Sequence, residues 1–226
     1  MSFKKNKYTI VRKAISKDLA EFIAAYFSMK KQVYDTCLKE KYISPFETIL
    51  GHYEREREQI PDTYSHYSDI AIDTLLLKCL PKMEEATGLK LYPAYTYARL
   101  YKKGDELKRH KDRFSCEIST TMNLGGDPWP IYLEPDSTKG GKTPTAKGDQ
   151  DFFNYVAGNT KGIKVDLKPG DMLVYSGCDL EHWREKFKGE ECIQVFLHYN
   201  NKKTSGAKDN LFDKRPHLGL PIFFRK

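Results

Sequence analysis

Leu107-Lys108-Arg109-His110-Lys111-Asp112-Arg113 is the stretch on which the reading of this chain turns. On a β-strand, residues two apart point to the same face. His110 and Asp112 can therefore offer an imidazole and a carboxylate to one point. A third donor stands further along, at His182 in Asp179-Leu180-Glu181-His182-Trp183, directly after the strand-like run Asp171-Met172-Leu173-Val174-Tyr175. A His-x-Asp triplet alone is a weak signal. Set between strands and joined by a strand-terminal histidine, it becomes a specific one, and His110, Asp112 and His182 are the candidate metal ligands.

Length and composition bound what such a site can belong to. The 226 residues suit one compact unit, 39% of them are hydrophobic and 13% aromatic, and the core they can bury is sizeable. Mean hydropathy is −0.66, and no apolar run approaches the length a bilayer requires. The start, Met1-Ser2-Phe3-Lys4-Lys5-Asn6-Lys7, carries no apolar signal segment, and the five cysteines never form Cys-x-x-Cys. These features argue against a disulfide framework and fit a reducing, cytoplasmic setting. The net charge of +7 is spread over dispersed lysines, with one local cluster near the N-terminus, which disfavours nucleic acid as a partner. No membrane partner is expected either.

Taken in order, residues 1–15 read as an extended lead-in. Leu19, Phe22, Ile23, Tyr26 and Phe27 then fall at helical spacing, with Asp18 and Glu21 resembling a capping box. The alternating run Glu54-Arg55-Glu56-Arg57-Glu58 reads as a solvated face. A second helix is expected from near Asp69, through Ile72, Leu75, Leu76, Cys79 and Met83, with Pro81 as a kink and Gly88 as its C-cap. From Leu89 the pattern is β: Tyr95, Tyr97, Arg99 and Tyr101 share one face, and short strands follow, divided by Gly and Pro turns. Residues 135–162 are glycine-rich and carry Phe152-Phe153-Asn154-Tyr155, which predicts a flap over a substrate, with a disordered surface loop as the alternative. Cys192, Gln194, Phe196 and His198 are expected on the inward face of the last strand. The tail ends in Leu220-Pro221-Ile222-Phe223-Phe224, which should tuck onto the core.

The organisation expected is a helical region at 1–88 packing on a sheet, a β core at 89–200 and a tail at 201–226. The fold class is mainly β with flanking helices (α+β), a jelly-roll or cupin-like arrangement. Two histidines and one carboxylate on one side of an ion leave adjacent positions open on the other. That is the facial triad of non-haem Fe(II) oxygenases, although Zn(II) and Mn(II) accept the same donors.

With these residues in place, the order Tyr101-x-x-Gly104, His110-x-Asp112, Gly125-Gly126, Pro169-Gly170-Asp171, His182 resembles the 2-oxoglutarate- and Fe(II)-dependent oxygenases. It is most similar to the prolyl 4-hydroxylase branch with its small bacterial and phage members, over residues 89–200. The resemblance implies a double-stranded β-helix, with Fe(II), 2-oxoglutarate, O2 and in some members ascorbate as cofactors. It also implies a dioxygenase, an oxidoreductase that hydroxylates a prolyl residue of a peptide or protein, or a small molecule. Tyr101 matches a position that touches the cosubstrate. One position departs from the pattern. Where the family carries a Lys or Arg for the distal carboxylate of 2-oxoglutarate, this chain has Cys192, Ile193 and Gln194. Arg99 is the favoured substitute, by its shared face with Tyr101, ahead of Arg113 and Arg184, and Gln194 is a neutral candidate. A jelly-roll binding module, for nucleic acid or otherwise, in which the triad is incidental, is the alternative reading. A jelly-roll enzyme that uses another divalent metal is a third.

Overall fold

The computed structural model describes residues 3–56, 58–141 and 155–226. A short helix α1 (Phe3–Asn6) leads into strand β1 (Tyr8–Val11) and the long helix α2 (Lys17–Lys39). Strands β2 (His52–Tyr53) and β3 (Tyr64–Tyr67) precede helix α3 (Ile70–Thr87). Then come β4 (Leu91–Lys102), β5 (Leu107–His110), β6 (Ile118–Gly126) and β7 (Ile131–Leu133). The series closes with β8 (Ile163–Val165), β9 (Met172–Ser176), β10 (His182–Arg184) and β11 (Glu191–Asn201). Among the described residues, no helix is long and apolar enough to cross a membrane.

The strands form two antiparallel sheets, one of seven in the order β1-β9-β6-β11-β4-β3-β2 and one of four in the order β5-β10-β7-β8. Alternation along β11 sets their roles. Ile193, Val195, Leu197 and Tyr199 join the helices in the main hydrophobic core, while Gln194, Phe196 and His198 turn to the opposite face. On that inner face the register pairs Tyr101 with Cys192, Arg99 with Gln194, Tyr97 with Phe196 and Tyr95 with His198. The predicted face of β4 is thus realised as one wall of the site.

The helices form where the pattern places them, with local differences. Ser16, not Asp18, caps α2, its hydroxyl accepting from the Leu19 amide at 3.2 Å. Glu21 instead pairs with Lys17. The buried seam of α2 is Ala20, Ile23, Phe27 and Tyr34. Phe22, one position and so about 100° round from Ile23, is 70% exposed. Asp69 caps α3 and Gly88, at φ 71°, ends it, while the helix runs unbroken through Pro81. The N-terminal region is not purely helical, because β1 and β2-β3 extend the large sheet at its two edges.

Two further expectations are corrected. Glu54 is not on a solvated face: it is 1% exposed and accepts from Arg99, Ser65 and the Ile60 amide. Three such donors, one of them a guanidinium, offset the cost of burying a charged acid. Arg57, from the same run, lies outside the described residues. The apolar end of the tail does not enter the core either, since Phe223 is 66% exposed. The tail is fastened by a polar hub. Buried Asp213 accepts from both Nη atoms of Arg113, from the Tyr67 and Ser115 hydroxyls and from Arg225. Phe212, Asp213 and Lys214 all adopt left-handed φ of 52–64°, a strained conformation for side chains with a Cβ. The hub holds the backbone there.

Asp213→Ala should leave two guanidiniums without their carboxylate and lower stability by about 3–5 kcal/mol. Urea denaturation checks it: the midpoint should fall with an unchanged slope.

Candidate metal centre

The site starts from a strand pairing. In the four-stranded sheet β10 lies between β5 and β7, and His182 stands directly opposite His110 on one side and Leu133 on the other. The two imidazole centroids are 4.2 Å apart. Strand β5 ends at His110, so Asp112 is not a strand residue as the period-two reading has it. It lies just beyond the strand, where its amide donates to the Gly177 carbonyl at 2.8 Å. Its carboxylate nonetheless meets both histidines, with Oδ1 3.6 Å from His110 Nε2 and 3.5 Å from His182 Nε2. Gly177 makes this possible, because a Cβ there would sit 2.3 Å from Asp112 Oδ2.

Hydrogen bonds fix which nitrogen of each histidine faces the carboxylate. His110 Nδ1 lies 2.8 Å from the Lys108 carbonyl and His182 Nδ1 lies 3.1 Å from the Leu180 carbonyl. A carbonyl only accepts, so both Nδ1 atoms carry a proton, and in the neutral imidazole Nε2 is then the lone-pair donor. Burial, and next the His182 ring, push the His110 pKa down, which keeps the imidazole neutral. The Asp112 carboxyl is held well below the usual range despite its burial, which keeps it ionised. Ser119 supports the other oxygen at 3.0 Å. Two imidazole nitrogens and one carboxylate oxygen, mutually within 4.8 Å, are a donor set that fits a single divalent ion.

The triad opens into a cavity of about 530 Å³ whose walls include Tyr95, Tyr97, Tyr175, Phe196 and Ile222. A larger groove of about 730 Å³, beside Phe3, Thr87 and Phe114, contains none of the three ligands. Tyr67, Tyr95 and His198 stack in a row with centroids 4.9 and 4.5 Å apart. His198 receives a hydrogen bond from, or gives one to, Ser119 at 2.9 Å, and burial pushes its pKa down to about 4.

Of the three candidate cations, Arg99 and Arg113 line the cavity, whereas Arg184 does not. Arg99 is buried but paired, its Nε 2.6 Å from Glu54 and its Nη1 2.7 Å from the Gln59 side-chain oxygen. Arg113 is committed to Asp213. Arg184 is the most enclosed at 1% exposure. It donates to the Trp129 carbonyl and to Thr121 Oγ1, has no carboxylate partner among the described residues, and leaves its buried Nε without an acceptor. Burial depresses its pKa. Tyr101 packs with Arg184 on the Trp129 ring. Among the described residues the buried Tyr101 hydroxyl has no hydrogen-bond partner. Gln194 sits beside them, accepting from Thr121 at 3.2 Å.

On the outer face of the same short strands, Glu181 pairs with Arg109 at 3.1 Å. Its other oxygen accepts from Gly141 N, Gly158 N and the Tyr155 hydroxyl. Residues 142–154, including Phe152, Phe153 and Asn154 of the expected flap, lie outside the described residues. Glu181, Gln59, Ser119 and Gly177 carry no sequence signal of their own, since each acts through a partner distant in the chain.

His110→Ala or His182→Ala should remove stoichiometric divalent-metal binding while leaving the β-rich circular dichroism intact; anaerobic titration reads it. A pH effect follows as well. His52, His66, His110 and His198 are all held below the ordinary value by burial. Below about pH 6.5 the unfolded chain takes up protons that the folded chain refuses, so stability falls with pH there. His198 alone, at about 4, should cost on the order of 3 kcal/mol once the pH is below that value. Unfolding midpoints between pH 7 and pH 4 measure it.

No family model matches the chain, and no curated protein sequence does. Solved structures match it over most of its length. A prolyl-4-hydroxylase from Pseudomonas putida shares 15% identity at a TM-score of 0.53, over 88% of this chain and 95% of that one. HygX from Streptomyces hygroscopicus, with nickel and 2-oxoglutarate bound, shares 10% at 0.56, over 99% and 91%. EctD from S. alaskensis, with bound Fe, shares 13% at 0.55, over 88% and 74%. At such identities the likeness is one of fold: this chain is built on the double-stranded β-helix of the 2-oxoglutarate- and Fe(II)-dependent oxygenases.

Proposed function

We propose that the protein is an Fe(II)- and 2-oxoglutarate-dependent dioxygenase, an oxidoreductase that hydroxylates a substrate C–H bond. The observation that carries this reading is the pairing of a tautomer-fixed His110–Asp112–His182 cluster with an uncompensated buried guanidinium, Arg184, on the same strand as His182. A bound Fe(II) would supply the oxidative decarboxylation of 2-oxoglutarate by O2, to succinate and CO2, coupled to insertion of one oxygen atom into the substrate. The residues of this chain bind, orient and exclude water.

His110, Asp112 and His182 would hold the ion. Arg184 would anchor the distal carboxylate of 2-oxoglutarate. Two residues along β10 is about 6.6 Å, a span a five-carbon diacid can bridge, and a buried cation without a counter-charge is costly until an anion arrives. The Tyr101 hydroxyl, buried and without a partner among the described residues, would donate to the same carboxylate, with Thr121 and Gln194 flanking it. Arg99 already faces Glu54 and would contribute far less. The stacked row Tyr67, Tyr95 and His198 would bound the substrate side. A prolyl residue of a peptide or a small molecule is the substrate proposed, with ascorbate as a supporting reductant. A binding module without chemistry would have no use for an unpaired guanidinium behind an oriented ligand set.

Arg184→Gln should weaken 2-oxoglutarate binding at least a hundredfold with metal still bound, whereas Arg99→Gln should change it far less. Calorimetric titration of 2-oxoglutarate into Mn(II)-loaded protein separates the two. Equal loss in both variants, or loss in neither, would remove Arg184 as the anchor.

A further inference from the structure

Gln59 stands in the stretch between β2 and β3, half-buried at the edge of the metal-site cavity. Its Oε1 is 2.7 Å from Arg99 Nη1. A guanidinium only donates, so the amide oxygen must face Arg99 and the amide NH2 must face the other way. There it meets His110, with Nε2 of Gln59 3.0 Å from Nε2 of His110. The histidine's own proton is on Nδ1, given to the Lys108 carbonyl, so its Nε2 is an acceptor. The two assignments were reached independently and they agree. Glu54 accepts from Arg99, Arg99 donates to Gln59, and Gln59 donates to the lone pair of His110.

An sp² nitrogen has a single lone pair. It can accept a hydrogen bond or bind an ion, and the two are mutually exclusive. We infer that Gln59 is a further residue of the metal site, one that competes with the ion for His110 and must let go as the ion binds. The inference rests on the metal-binding reading above. It makes the affinity of the site a difference between two bonds at one nitrogen, and it ties the loading of the ion to the cavity rim through Gln59 and Arg99.

The test uses the full chain after chelator treatment, with Zn(II) as a redox-inert probe that takes the same donors. Gln59→Leu removes the competing donor, and Gln59→Asn keeps an amide but shortens it beyond reach. Both should bind Zn(II) about three- to tenfold more tightly than the unaltered protein, the range one hydrogen bond spans. The Gln59 side-chain amide resonance, identified by its absence in Gln59→Leu, should shift when Zn(II) is added. Unchanged or weakened affinity in both variants, with an unmoved resonance, would overturn the competition while leaving the metal site standing. If the unaltered protein binds no more Zn(II) than His110→Ala does, the metal reading itself fails and this inference falls with it.

Discussion

The site depends on one antiparallel pairing, that of β5 with β10. Directly opposite residues in such a ladder lie about 4.5–5.5 Å apart, and here those residues are His110 and His182. No loop has to bring the two imidazoles together, because the hydrogen-bonded register does so. What remains is to orient the rings and to add one charge. Backbone carbonyls at Lys108 and Leu180 do the first. Asp112, seated against Gly177, does the second. A ligand set placed by the ladder is as rigid as the sheet, which suits a centre that must keep three protein donors on one side of an ion.

Much of this was legible in the residues because β-structure writes its faces with a period of two. Tyr95, Tyr97, Arg99 and Tyr101 read as one face and form one wall, and the inward set of β11 read equally well. Where a role depended on a partner far along the chain, periodicity had nothing to offer. Glu54 looked like one charge in an alternating solvated run, yet its buried position follows from Arg99, Ser65 and Ile60. Parity favoured Arg99 over Arg184, through the face it shares with Tyr101. What separates them is that Glu54 faces Arg99, while among the described residues no carboxylate faces Arg184. The tail misled in the opposite sense, its apolar end inviting a core role that the Asp213 hub makes unnecessary.

The polar interior is dense for so short a chain, and its charges are sorted by partner. Arg99 pairs with Glu54 and Arg109 with Glu181, while Asp213 serves both Arg113 and Arg225. Pairs of this kind add little net stability against apolar replacements, but losing one member is expensive. They act as registration marks, fixing where the tail, the rim and the ligand strands meet around one cavity.

Glu181 has a consequence of another kind. Gly141 and Gly158 give their amides to the same carboxylate oxygen, at 3.2 and 2.7 Å, so the connection from β7 to β8 is gathered at two of its residues onto Glu181, next to β10. A segment that departs and re-enters at one place is, topologically, a closed excursion. Its closure entropy grows only with the logarithm of its length, about 0.6 kcal/mol for each doubling. The fold can therefore lengthen, shorten or exchange that excursion at small thermodynamic cost while the knot at Glu181 keeps the β10 register unchanged.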